Sequence, residues 1–409
     1  MKISRFIVAL TAALLLSSCG STSGKGANTE DSEALMQQDK SSFNGPSGAW
    51  AGASRQTEEE QKEDGGYAAE SMEKPIYVCL TGEGRIAVID ENNDLYVWGD
   101  NTHGVLGTGD TNDVEAPTKI MENIKKVCFA QNDDLAILSL DGSLYTCGWN
   151  EKGWLGDGSC DDKHTPNKIL DDVDDMIFGR AITYSGELYA WGNNASGQIG
   201  DGTFETRLEP VKVMENVKKV RTGGGNVLAL TTDDSLYSMG QLTEYYGGTY
   251  VDSNIDHRKP SRIMEGIIDM DAGYAHAGAV NKNGELYMWG SNMNGQLTDR
   301  VRDETREPIM VMENVRTVRF DDSRSWAITN DNELMYWGYN SVTVDGTTTY
   351  KDIYTPVKQM DGIEDFIDSD DVLVLKSVDG DFYTTVDVVE QIGLSYDGSP
   401  EDEYVKIIF

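Results

Sequence analysis

"WGNNASGQIGDG", residues 191–202, follows a strand-like "GELYA" and places Gly197, Gly200 and Gly202 within six residues. Such a loop could cradle a phosphate. A P-loop, however, needs Lys-Ser/Thr after its last glycine and then a helix. Here Asp201, Gly202 and Thr203 follow, with no basic residue. The stretch also recurs: "GDNTHGVLGTG" (99–109) and "GWNEKGWLGDG" (148–158) share its frame, and "GSNMNGQLTDR" (290–300) keeps the first half. The glycines therefore serve the chain itself, as turns between one strand and the next.

Working outward, each copy follows a strand ending in glycine. These are "LYVWG" (95–99), "LYTCG" (144–148), "LYAWG" (188–192), "LYSMG" (236–240), "LYMWG" (286–290) and "LMYWG" (334–338), with a decayed "FYTTV" (382–386). The terminal glycines step by 49, 44, 48, 50 and 48 residues. Two more markers keep phase. Pro117, Pro166, Pro210, Pro260, Pro308 and Pro356 each precede a Met or Leu by four residues, and a polar turn such as "NND" or "NGE" precedes each LY strand. A repeat of this length, rich in hairpin turns and period-2 strands, predicts four short antiparallel strands per unit. Units that cannot bury both faces alone stack around a ring, so the fold class is all-β, a seven-bladed β-propeller over residues 76–409. The terminal "EYVKIIF" occupies the place of "EPVKVM" in another unit and is expected to complete the last blade.

The pattern resembles the regulator-of-chromosome-condensation (RCC1) repeat, most fully in "GYAHAGAVNKNGELYMWGSNMNGQL" (273–297). The resemblance covers about 334 of the 409 residues and implies seven blades. It also implies that His276 is structural, bonding between blades. The other blades carry Arg85, Asp134, Phe178, Asn226, Arg324 and Val372 at the same offset.

Before the repeats stands "MKISRFIVALTAALLLSSCG", with Lys2 and Arg5 ahead of an 11-residue apolar run, Phe6–Leu16. The run is too short to span a membrane as a helix and reads as an export signal. "LSSC" resembles the bacterial lipobox, which implies cleavage after residue 18 and acylation of Cys19. Residues 1–18 are thus expected to be a lipoprotein signal peptide. Residues 19–75, rich in Gly, Ser and acidic residues, are expected to be a flexible tether. Localisation follows: the bacterial cell envelope, lipid-anchored and facing out of the cytoplasm.

The net charge of −36 leaves no basic stripe for phosphates, so no nucleic-acid partner is expected. The remaining cysteines, Cys79, Cys128, Cys147 and Cys160, form no CxxC, and the chain has four histidines, so neither a metal site nor a cofactor is expected. Cys79 and Cys128 hold matching repeat positions and are expected as small buried thiols. Acidic turns such as "TGDTND" lack calcium-loop spacing.

Functional expectation falls on residues the repeat does not require. Blade four replaces its loop with "QLTEYYGGTYVDSNIDHRK", adding Tyr245, Tyr246 and Tyr250; Trp149 and Trp154 decorate the blade-two loop, and Tyr274 lies in blade five. Aromatics beyond the needs of the core mark protein or glycan contacts. The leading expectation is a monomeric, non-catalytic, surface-tethered binding module whose blade loops engage an envelope or extracellular protein. One alternative is a binder like the propeller-type inhibitors of β-lactamase, acting on a β-lactamase or penicillin-binding protein. A second is guanine-nucleotide exchange, implied by the resemblance but opposed by export and acidity. A third is a lyase or glycan-binding activity at the central channel, which requires Arg85, Asp134, Asn226, His276 and Arg324 to face it.

Overall fold

The computed structural model describes residues 75–81, 83–130, 133–240, 257–301, 303–344, 347–367, 372–385, 388, 395–397 and 404–408. The chain divides at Ala68/Ala69, and all described residues belong to the second unit. The expected signal, Cys19 and the tether as far as Lys74 lie outside the described residues.

Seven antiparallel blade sheets follow one another along the chain, the first six with strands in sequence order from the innermost outward. Blade one comprises Pro75–Leu80, Arg85–Asp90, Leu95–Gly99 and Val114–Met121. Six further blades repeat the plan, with inner strands at Ile124–Ala130, Val173–Ile177, Val217–Gly223, Ile267–Ala272, Val315–Phe320 and Ile363–Ile367. The expected closing segment, Tyr404–Ile408, is the outer strand of blade seven, paired with Phe382–Thr385; Ser395–Asp397 adds a fifth strand beyond it. Five of the six repeated prolines fall in outer strands, where an unpaired edge needs no N–H donor, and Pro260 immediately precedes the outer strand of blade four.

Each interface between neighbouring blades holds one hydrophobic cluster, seven in all. Every described blade is contiguous in sequence, so the ring closes where blade one packs on blade seven rather than by strands shared between blades. Val78, Leu80, Ile86 and Val88 of blade one meet Val374, Phe382, Val405 and Ile407 of blade seven. At ~1.5–3 kcal/mol per buried aliphatic side chain, this one cluster replaces the strand exchange a ring could otherwise use. Cys79, Cys128 and Cys147 are buried free thiols within these interfaces, as expected for the first two.

The two ends of the disc differ. One end, the turn face, carries the second-to-third-strand turns and the short connections to the next blade. In each described turn, one residue with positive φ reverses the chain: Asn93, Gly142, Gly186, Asp234, Gly284, Asn332 and Gly380. The connections do the same at Asn123, Asp172, Asn216, Gly266, Asn314 and Gly362, which explains the "MEN" and "MEG" markers. The carbonyls of the first six turn residues accept from the N–H that opens the next inner strand, at 2.8–3.1 Å. A lysine ladder repeats on this face, with Lys119, Lys212 and Lys358 each bridging two carboxylates at 2.6–2.8 Å. The other end, the loop face, carries the inner turns between first and second strands and the long loops between third and outer strands.

Candidate functional site

A buried asparagine organises each regular outer loop. Asn101, Asn150, Asn194 and Asn292 are fully buried. Each accepts from the N–H five residues on (Leu106, Leu155, Ile199 and Leu297, at 2.8–3.0 Å). Their side-chain amides donate to carbonyls farther along the loop, Asp110 and Asn112 in blade one and Thr203 and Glu205 in blade three. A closed loop of this kind presses on the next blade. A Cβ on Gly200 would stand 2.5 Å from Met239 Sδ of blade four, at a φ of +87°. The loop therefore wedges between blades and holds no phosphate.

The site begins where these loops carry residues the wedge does not need. In the blade-two loop Trp149 and Trp154, both half-buried, lie with ring centroids 5.0 Å apart. His103, from the blade-one loop, stacks on Trp149 at 5.2 Å and 20°. The Trp154 carbonyl accepts from the Trp191 indole N–H of blade three at 2.8 Å, which ties the cluster to a third blade. Carboxylates flank it: His103 Nδ1 is 3.2 Å from Asp162, and its Nε2 is 3.9 Å from Asp133. Asp133 also pairs at 2.7 Å with Arg85, which reaches Glu83 at 2.8 Å and Asp100 at 2.9 Å. Burial opposes the Arg85 charge, but the Asp100 hydrogen bond and the neighbouring carboxylates hold its pKa above the ordinary value. The arrangement is an aromatic platform with an acidic border, suited to packing and charge complementarity rather than to bond chemistry.

Tyr274 lies in the inner turn of blade five on this same face, 50% exposed, and three blades away from the tryptophans. The structure therefore joins Trp149 to Trp154 and leaves Tyr274 apart. Tyr245, Tyr246 and Tyr250 lie outside the described residues. Sequence reasoning missed His103, and also Phe204 and Met293, exposed at 56% and 69% in the loops of blades three and five. His103 lies at a variable position of the loop frame, so the repeat gave no reason to single it out. Blade six adds a hairpin, Ser341–Val344 with Thr347–Tyr350, where the frame predicts a plain loop.

The proposed channel ring is corrected. Arg85, Asp134, Asn226, His276 and Arg324 open second strands, one position out from the axis. Arg85 bonds Asp100 of its own outer loop, Asn226 accepts from Ser238 within its own blade, and His276 reaches the next blade. His276 Nε2 lies 3.0 Å from Ser325 Oγ of the next blade, and Ser325 donates to the Gln296 carbonyl at 2.8 Å. Burial pushes the His276 pKa down to about 3, so it is neutral and structural, as the resemblance implies. Phe178 sits in a two-residue hairpin turn, and Arg180 opens that second strand instead. The bore is lined by inner strands: Tyr77, Lys126, Lys219, Arg221, Arg319 and Asp365 face a cavity of about 280 Å³. Among the described residues, no group of three or more His, Cys, Asp or Glu could hold a metal.

Comparison with known proteins agrees with this geometry. Regulator of chromosome condensation (RCC1) repeat models match residues 92–131, 141–179 and 185–230, and again 267–296. Human E3 ubiquitin-protein ligase HERC2 is 30% identical over 132 residues, 30% of this chain and 3% of that protein. Human Regulator of chromosome condensation is 28% identical over 141 residues, 32% of this chain and 34% of that protein. The matches thus span between 3% and 34% of these relatives' length. Among solved structures, human WBSCR16 aligns with a TM-score of 0.62 and 21% identity, covering 76% of this chain and 89% of that one. Yeast RCC1 (Prp20), solved bound to Kap60, aligns with a TM-score of 0.61 and 16% identity, covering 87% of this chain and 91% of that one.

Proposed function

For a chain that carries RCC1 repeats on a seven-bladed propeller, we propose a non-catalytic, surface-tethered binding protein whose loop face engages an envelope protein. A lipid on Cys19 would hold the propeller at the cell surface. RCC1-like propellers bind proteins, as yeast RCC1 does Kap60. The observation that carries the reading is the asymmetry of the disc. The turn face spends its main-chain groups and charges on its own repeat contacts. Irregular sequence collects on the loop face, with the His103–Trp149–Trp154 platform and the exposed Phe204, Tyr274, Met293 and Tyr350. Stacked aromatics at such a face are the residues that dominate protein interfaces.

The test has two arms. The full chain, expressed in a bacterial host, should partition with the membrane fraction and label with palmitate. Cys19→Ser should abolish both, and labelling that survives the substitution contradicts the anchor. With the full chain as bait in envelope extract, Trp149→Ala/Trp154→Ala should lose a partner that the wild type retains, at unchanged folding by circular dichroism. Purified β-lactamases and penicillin-binding proteins belong in the same assay. Capture unaffected by the substitutions moves the site off the platform.

A further inference from the structure

The aromatic platform of blades one and two carries an unbalanced rim. Asp133 and Asp162 flank His103, and through Arg85 the contacts run on to Asp100 and Glu83. Arg85 is thus one guanidinium among three carboxylates. Lys152 of the blade-two loop and Lys163 just beyond it are taken by Glu151 and Asp157, at 3.0 and 3.2 Å. Even with His103 counted as a cation, the rim sets Glu83, Asp100, Asp133 and Asp162 against Arg85 and His103 alone. Position matters as much as number. The Arg85 side chain is 4% exposed, whereas those of Asp162, Asp100 and Glu83 are 32%, 33% and 65% exposed. The positive charge lies inside, and the surplus negative charge faces outward.

Elsewhere the same fold shows what rings and carboxylates of this kind hold. In blade six the Arg324 guanidinium carbon lies 5.2 Å from the Trp326 ring centre, and Arg324 Nε donates to Asp321 at 2.6 Å. Arginine, tryptophan and aspartate form one unit there. The platform has the tryptophans and the aspartates. Both rings are partly exposed, and among the described residues no cation stands over either of them. A guanidinium satisfies both halves of this arrangement, because its plane stacks on an indole face while its edge forks to a carboxylate. An ammonium group brings the charge without the plane. A neutral sugar would stack on the rings and leave the surplus charge unmatched.

We propose that the platform receives arginine side chains from a basic segment of the partner, stacked on Trp149 and Trp154 with Asp133 and Asp162 as their carboxylate partners. The inference rests on the loop face being the binding face, and it names the chemistry that face reads: a positively charged, arginine-bearing stretch of an envelope protein. In a chain of net charge −36, complementary charge also steers such a segment towards the disc.

The test is calorimetric titration of the full chain with capped tetra-arginine at constant, physiological ionic strength, with tetra-lysine and the neutral glycan chitotetraose as comparisons. Saturable binding of tetra-arginine is expected, roughly fivefold tighter than tetra-lysine. Trp149→Leu/Trp154→Leu should bring tetra-arginine down to the affinity of tetra-lysine. Asp133→Asn/Asp162→Asn should weaken both peptides roughly tenfold. Glu122→Gln/Glu215→Gln, which removes equal charge from the turn face, should change neither. Unliganded melting midpoints establish that each variant is folded. In envelope capture, Asp133→Asn/Asp162→Asn should lose the same partner as Trp149→Ala/Trp154→Ala. Capture lost only with the tryptophans overturns the proposal and leaves the loop-face reading standing. So does equal affinity for the two peptides, tighter binding of chitotetraose, or equal weakening by the turn-face pair. Capture that survives both pairs overturns that reading, and the proposal with it.

Discussion

The two faces of the disc come from one repeat, yet they follow different rules. On the turn face the same devices recur around the ring: a positive-φ residue, a 2.8–3.1 Å bond to the next blade, a lysine between two carboxylates. On the loop face the asparagine wedge holds in blades one, two, three and five. Blade six departs from it with a hairpin. Repetition fixes the end of the blade that must hold the ring together. The other end is free to vary once the wedge is made. Exposed apolar residues occur on both faces, but Leu140, Tyr184 and Val378 of the turn face sit singly in separate turns, with Tyr184 against Lys125. Only the loop face gathers rings from two blades into one platform among the described residues.

The strongest way to break this contrast is to overfill a wedge. A Cβ on Gly156 would stand 2.6 Å from the Trp191 ring at a φ of +72°. Gly156→Val should cost about 2–5 kcal/mol in urea unfolding, strain and overpacking combined. A change below 1 kcal/mol would mean that the loop is not wedged. Asn150→Ala should cost about 1–3 kcal/mol, because the Leu155 N–H loses a buried acceptor.

A separate effect distinguishes interior from surface by pH. His276 has its pKa depressed in the fold, so the unfolded chain takes up a proton that the folded chain refuses. Its contribution is intact above about pH 6.5 and is lost as pH falls towards about 3, by up to ~1.4 kcal/mol per pH unit. His276→Gln should flatten that stretch of the stability–pH curve. The smallest effect belongs to the turn face. Lys218 and Lys282 hold the half-buried Asp234 carboxyl down to about 2, so its contribution is present above about pH 4 and fades as pH falls towards 2. Asp234→Asn should remove only a weak, salt-sensitive acid dependence.

Much of this was legible in the sequence because each repeat marker has a physical cause. The "MEN" and "MEG" turns mark positive φ, the prolines mark outer edges, and "EYVKIIF" marks the last outer strand. What failed was an offset carried across a deletion. Counting back from Leu188 put Phe178 in line with His276, but blade three has a shortened first hairpin, and Arg180 takes the strand opening. The 44-residue step from Gly148 to Gly192, against 48–50 elsewhere, carried the signal. The platform was half legible: excess tryptophans stand out against a repeat, whereas His103 joins them only because two loops meet in space.

The central claim, that the loop face is the working face, is tested most directly by site-specific photo-crosslinking in the full chain. A photoreactive residue at Phe204 or Tyr274 reports on the loop face, and one at Leu140 or Tyr184 reports on the turn face. The account predicts crosslinks to the same envelope protein from Phe204 and Tyr274, and none from Leu140 or Tyr184. Crosslinks to that protein from the turn face, with none from the loop face, would contradict it.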